Sequence, residues 1–406
     1  MESEEKNARV GATTQGQLDA TNSQNNRECG EMQPQNIGLY IHIPFCQSKC
    51  IYCDFVSSVC SASKIDEYIG YLCKELRLVA DKLDGKFVVD TIYIGGGTPS
   101  ILTLGQLRAL VAEVRRDFVC NLQEFTMEAN PNSLDLAHLD DIKALGITRV
   151  SLGAQTLNDK LLRTIGRLHS SQDVVTAIKA LVGKFDTSVD CMLGLPTQTQ
   201  QDVIEFVTQM TALNVGHMSC YCLSVESGTQ LEKMLNAGKL TLPTDDETAD
   251  MYDIAYKLLS EKGYSRYEVS NFARPNKESK HNMKYWTMAN YLGVGVSAHS
   301  FVGDKRFFNS GDKAEYYDAL DNNRLPYLLE EKLTIDDKKK EKIMLALRLS
   351  QGLDVEKFEI EFCTKFDEEF ALALKKHEKM INYDKKTLKI KEKYMCMMNS
   401  IILDFV

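Results

Sequence analysis

Residues 40–55 read YIHIPFCQSKCIYCDF. The apolar start has the alternation of a strand, and three cysteines then follow within eight positions: Cys46, Cys50 and Cys53, spaced C-x3-C-x2-C. Structural zinc usually takes paired C-x2-C units, or one such unit with two later histidines. The next cysteines, Cys60 and Cys73, form no second pair. His42 lies four residues upstream, but on a strand its side chain keeps a fixed face and need not reach. Three thiolates in one short loop suit three irons of a [4Fe–4S] cube and leave the fourth iron open to a small molecule. On spacing alone, zinc remains the alternative.

The rest of the chain sets the context. Its 406 residues suggest two to three domains. An apolar fraction of 44% and a charged fraction of 26% are those of a soluble globular protein. A net charge of -9 argues against a general nucleic-acid binder. The apolar runs are strand-length, so no transmembrane helix is expected. Residues 1–36 are polar, rich in Gln, Asn and Glu, and are expected to be a disordered tail. They lack the apolar core of a signal peptide and carry too many acids for a mitochondrial transit peptide. The expected location is therefore the cytoplasm, with thiols reduced. Cys73, Cys120, Cys191, Cys363 and Cys396 sit in apolar patterns and are expected in the core.

From residue 38 to about 225, short apolar strands alternate with amphipathic helical stretches. The strands are GLYIHI (38–43), DTIYIGG (90–96), EFTMEA (124–129), TRVSLGA (148–154), TSVDCML (187–193) and HMSCYCL (217–223). Ser63 is the expected N-cap of the first helix. Such alternation implies parallel βα units with right-handed crossovers. Six units suggest an α/β barrel or partial barrel, whose chemistry gathers at the C-terminal strand ends. A capped helix is expected at 244–262, before Gly263. The expected divisions are a barrel over 37–263, a connecting region over 264–324 and a helical, winged-helix-like module over 325–406. In that module TLKIKEKYMCMMNSIILDFV reads as strand, turn, strand and closing helix.

Two further features fall at the strand ends. Gly95, Gly96 and Gly97 run straight off the second strand into Thr98 and Pro99. Without side chains the backbone can approach a ligand closely, although a tight turn also explains one or two glycines. The Lys-Ser/Thr ending of a P-loop is missing. Glu128, Gln155 and Asp190 place polar groups towards one rim, either as satisfied core residues or as a site for a molecule bearing hydroxyls and an amine.

Together, the cysteine spacing, the glycine motif and the strings YIHIPFC, YCDF, GGGTPS, SLGAQ and D-x-x-x-GLP resemble the radical S-adenosylmethionine (SAM) superfamily. The closer resemblance is to the oxygen-independent coproporphyrinogen III oxidase-like family, including haem chaperones of the HemW type, over residues 37–406. The resemblance implies a partial (β/α)6 TIM-like barrel and a [4Fe–4S] cluster held by Cys46, Cys50 and Cys53. It implies SAM on the open iron, cleaved by one electron to a 5′-deoxyadenosyl radical. SAM contacts are implied for Tyr40, Tyr52, Gly96, Gly97, Thr98, Glu128, Gln155, Arg167 and Asp190.

Two functions remain open: oxidative decarboxylation of coproporphyrinogen III to protoporphyrinogen IX, or haem binding and delivery to an acceptor protein. The decarboxylating enzymes carry a fourth cysteine, C-x3-C-x2-C-x-C, where this chain has Phe55. They also have an ordered N-terminal segment that the polar tail does not resemble. The string KHNMKYW (280–286) matches the H-N-x-x-Y-W signature of the chaperones in His281, Asn282, Tyr285 and Trp286. An imidazole is a candidate iron ligand and the aromatic rings a flat apolar surface, though a turn cap and a core tryptophan explain the same residues. Haem delivery is the favoured expectation.

Overall fold

The computed structural model describes residues 34–406. The expected disordered tail lies outside the described residues except for its end. There the first strand already starts at Gln35, ahead of the expected boundary.

Six parallel strands form the centre: β1 (Gln35–Ile43), β2 (Phe87–Gly96), β3 (Cys120–Ala129), β4 (Arg149–Gln155), β5 (Asp186–Leu193) and β6 (His217–Cys222). Each pairs with the next in parallel register. Ile37, Leu39, Ile41 and Ile43 are buried on one face of β1, as a period of two requires. The helix Ala62–Leu83 covers that face with Tyr68, Ile69, Leu72, Leu76 and Val79, at spacings of three and four. Its N-cap is Ser61 and not Ser63, because Lys64 and Ile65 already donate to the Ser61 carbonyl.

The sheet does not stop at β6. After the helix Asp245–Glu261 come β7 (Ser265–Arg266), β8 (Asn271–Ala273), β9 (Tyr291–Val294), β10 (His299–Val302), β11 (Lys305–Asn309) and β12 (Tyr327–Lys332). The full order is β12-β11-β10-β9-β1-β2-β3-β4-β5-β6-β8-β7. β9 joins β1 in parallel, and β8 joins β6 antiparallel. The order has two free edges, so the barrel is partial. The expected divisions at 263 and 324 therefore fall inside one continuous sheet. The strands inside the expected connecting region 264–324 are only two to five residues long.

Residues beyond β12 build a separate apolar core around Phe358, Phe366, Leu388, Ile401 and Phe405. Three short strands, β13 (Leu353–Asp354), β14 (Ile381–Tyr383) and β15 (Thr387–Ile390), pack with the helices Ile335–Ala346, Val355–Phe362 and Ala371–His377. The strand expected after KIKEK is instead a 3-10 turn, Glu392–Met397. β14, upstream, takes the partner position beside β15, closed by Asp384 accepting from the Lys386 and Thr387 amides. Cys363 is another correction: it ends a helix in the left-handed conformation and is exposed, whereas Cys191 is buried as expected.

One buried carboxylate ties these layers together. Glu75, on the first helix, accepts from the Gly295 amide (2.7 Å), Tyr316 OH (2.6 Å) and Asn309 Nδ2 (2.6 Å). Burial pushes its carboxyl up to about 7, against the opposing effect of these hydrogen bonds. A carboxyl raised in the folded state favours folding below its unfolded value and loses that contribution as pH rises through the folded value. Relative to Glu75→Gln, the wild type is therefore expected to lose on the order of 3 kcal/mol between pH 4.5 and 7. Urea unfolding of both proteins across that range checks this; a pH-independent difference contradicts it.

Candidate functional site

The cysteine loop leaves β1 and is pinned at both ends. The Cys46 amide donates to the Ser58 carbonyl (3.2 Å), and Ser58 N returns to the Pro44 carbonyl (3.0 Å). A turn closes Cys53 N on the Cys50 carbonyl (3.2 Å). All three thiols are free and half-buried. His42 points elsewhere: its ring meets Tyr40 OH (2.9 Å) and the Val56 carbonyl (3.3 Å).

The glycines prove to be required by the chain's own packing. A Cβ on Gly97 would lie 2.5 Å from the Phe45 carbonyl oxygen, and one on Gly96 2.5 Å from the His42 ring. Gly96 also has φ 111°, which side chains disfavour. This close approach places Thr98, whose hydroxyl sits 3.5 Å from the Cys46 sulfur. Gly97→Ala is expected to destabilise the protein by about 1–3 kcal/mol, since backbone must move to admit the methyl group. It should also impair cluster formation by displacing the residue before Cys46. Urea unfolding and cluster absorbance check this.

Acidic and basic groups meet above β3 to β6. Glu128 accepts from Tyr93 OH (2.8 Å) and the Gly96 amide (3.0 Å). Burial raises its carboxyl to about 7, and Asp190 nearby is raised to about 6, again chiefly by burial. Gln155 ends β4 at φ 67° and accepts from Tyr221 OH (2.9 Å). Arg167 donates to Asn130 Oδ1 (2.7 Å) and the Gly153 carbonyl, and its Nη1 lies 3.5 Å from the Cys50 sulfur. Its Nε is buried without a partner.

These groups line one cavity of about 320 Å³ at the C-terminal ends of β1–β6. Cys46, Cys50, Cys53, Tyr52, Gly96, Gly97, Thr98, Glu128, Gln155, Arg167 and Asp190 all face it. Tyr40 does not. It lies on β1, stacked on Tyr93 with centroids 6.1 Å apart and with its hydroxyl 2.9 Å from His42 Nδ1. Sequence reasoning missed Asn130, Ser151 and Tyr221 in the lining. Asn130 and Tyr221 follow the pattern of polar residues at strand ends and could have been found by extending it to β6.

His281, Asn282, Tyr285 and Trp286 lie on the helix Lys280–Trp286, away from this cavity. The helix packs on Asp90 and Thr91 of β2 and Glu124 of β3, in the N-terminal halves of those strands. Glu124 accepts from the Lys280 and His281 amides (both 3.0 Å) and pairs with Arg149 Nε (3.0 Å). Lys284 pairs with Asp90 (2.7 Å). The His281 ring is fully buried, with Nδ1 on Thr91 Oγ1 and Nε2 on Tyr285 OH, each 2.9 Å away. Burial depresses its basicity to about 3. Both ring nitrogens are bonded within the protein, and the ring lies 5.3 Å from that of Tyr93, whose hydroxyl donates to Glu128 in the cavity.

The thiol loop fits a cluster better than a single ion. Among the described residues no three His, Cys, Asp or Glu side chains converge tightly enough to hold one metal ion. A cubane does not need that, because each thiolate takes its own iron. Thr98 and Arg167 place donors beside the Cys46 and Cys50 sulfurs. Polar groups from β3, β4 and β5 then ring a cavity open to a small polar molecule.

Sequence and structure comparisons agree with that chemistry. The radical SAM superfamily model matches residues 40–210, and the HemN C-terminal domain model residues 333–393. In structure, the chain superposes on coproporphyrinogen III oxidase (HemN) from Escherichia coli with a TM-score of 0.81 at 25% identity, covering 92% of this chain and 90% of that one. The fold and cavity are those of a radical SAM protein, a class defined by a [4Fe–4S] cluster and SAM. Heme chaperone HemW of Bacillus subtilis is 36% identical over 83% of this chain and 89% of its own. Heme chaperone HemW of Lactococcus lactis is 34% identical over 90% and 96%. The chain belongs to the HemW family.

Proposed function

We propose that this protein is a haem chaperone, which binds haem and passes it to an acceptor protein in the cytoplasm. The observation that carries this reading is its relationship to the HemW chaperones over most of both chains, at 36% identity for one of them. Phe55 in place of the fourth cysteine agrees with it.

Cys46, Cys50 and Cys53 would hold the cluster through their thiolates. When bound, a reduced cluster and SAM supply one-electron cleavage of a sulfonium bond, and the protein's part is positioning and shielding. Thr98 and Arg167 would hydrogen-bond two of the sulfur ligands. Gly96 and Gly97 bring backbone to the cavity wall. Arg167 suits a carboxylate, and Glu128 and Asp190 suit hydroxyl or amino groups. Tyr52 and Tyr221 flank the cavity with aromatic surface. No helix is long and apolar enough to cross a membrane.

The fold is shared with HemN, which keeps decarboxylation as the second reading. Haem titration of the anaerobically reconstituted protein tests the chaperone proposal. A saturable change in the haem absorbance band is expected. No uptake, with the cluster intact, contradicts it.

A further inference from the structure

Tyr93 on β2 is a common neighbour of the helix Lys280–Trp286 and the cavity. Thr91 and Tyr93 stand two residues apart on that strand, so both project from the same face. Thr91 Oγ1 holds the His281 ring by Nδ1, and Tyr285 OH meets Nε2, each at 2.9 Å. The Tyr93 ring lies 5.3 Å from that imidazole and 6.1 Å from the ring of Tyr40, its register partner on β1. Its hydroxyl donates to Glu128 Oε1 at 2.8 Å, while the Gly96 amide donates to Oε2 at 3.0 Å.

Two glycines clear the space for this chain of contacts. A Cβ on Gly95 would lie 2.8 Å from the Tyr93 ring and 3.1 Å from the Glu128 carboxyl. A Cβ on Gly38 would lie 3.1 Å from His281 Cε1 and 2.7 Å from Lys284 Cδ. Rings packed this closely leave Tyr93 little room to turn, and removing the imidazole beside it would give it that room. The aim of its hydroxyl matters for charge. Burial disfavours the Glu128 carboxylate, and the bond from Tyr93 opposes that effect.

We infer that His281 is a positioning residue for the cofactor cavity. Held by Thr91 and Tyr285, its ring backs Tyr93 and keeps the Tyr93 hydroxyl aimed at Glu128. This rests on the reading that the cavity takes SAM, with Glu128 meeting its hydroxyl or amino groups. The H-N-x-x-Y-W helix then acts on cofactor binding without touching the cofactor.

Equilibrium dialysis of SAM against the anaerobically reconstituted full chain tests this in four proteins: wild type, Tyr93→Phe, His281→Ala and the double variant. Cluster absorbance and urea unfolding are run on each. Tyr93→Phe removes only the hydroxyl and is expected to weaken SAM binding about ten-fold. His281→Ala is expected to weaken it about three-fold or more at unchanged cluster content. The double variant should lose no more than Tyr93→Phe alone, because no hydroxyl is left to aim. A histidine that only stabilises the barrel would change unfolding and leave that pattern absent. Losses that multiply in the double variant, or wild-type SAM affinity in His281→Ala, overturn the inference. Thr91→Val frees Nδ1 while keeping the ring, and it takes the place of His281→Ala in the same cycle if that variant does not fold; the same two outcomes then decide. A wild-type chain with an intact cluster that takes up no SAM overturns the cavity reading, and the inference with it.

Discussion

Replacing Cys50 by alanine is expected to abolish [4Fe–4S] assembly while leaving the fold in place. The loop offers three thiols, one for each of three irons. A cube held by two protein thiolates loses a covalent anchor, a far larger effect than any hydrogen bond in the loop. The fold should survive because Cys50 is half-buried at a cavity wall and packs in neither main core. Its backbone carbonyl, which closes the turn to Cys53, is untouched. Anaerobic reconstitution followed by visible absorbance, iron content and far-ultraviolet circular dichroism checks both halves. Retained cluster absorbance contradicts the ligand assignment.

Glu124→Ala is expected to destabilise the protein by about 3–5 kcal/mol. Its carboxylate is 5% exposed and faces Arg149 at 4%. It also accepts from the amides of Lys280 and His281, at the start of the helix that packs on β2 and β3. Removing it leaves a buried guanidinium unpaired and two amides without an acceptor. His281 and Tyr285 should lose protection from hydrogen exchange before the strands do. The cavity at the C-terminal strand ends should still accept a cluster in the protein that remains folded. Urea unfolding with hydrogen-exchange mass spectrometry measures this; a loss below about 1 kcal/mol contradicts this anchoring of the helix.

Much of this was legible in the sequence. All six parallel strands stand within three or four residues of their expected bounds, because each is a short apolar run closed by a turn. The cavity residues were legible for the same reason: polar groups at the ends of parallel strands converge by topology, whatever their distance in sequence. What was not legible depends on pairing at long range. β9 enters the sheet beside β1 across some 250 residues, and its four residues carry no signal of that partner. The string H-N-x-x-Y-W showed its residue types but not the strands they pack on. That depends on Glu124 and Asp90, which are unremarkable polar positions in their strands until the helix is laid across them. Tyr40 stacks on Tyr93 outside the cavity lining, since alternation fixes which face a side chain takes but not its depth.

The chaperone and decarboxylase readings share fold, cluster and SAM, and diverge only in what happens to a tetrapyrrole. Phe55 stands on the exposed rim where the decarboxylating enzymes carry another cysteine. The most direct measurement gives one anaerobically reconstituted sample coproporphyrinogen III, SAM and a reductant, and titrates a second aliquot with haemin. The account predicts saturable haemin uptake and no protoporphyrinogen. Protoporphyrinogen formation on turnover, or an aliquot with an intact cluster that takes up no haemin, would contradict it.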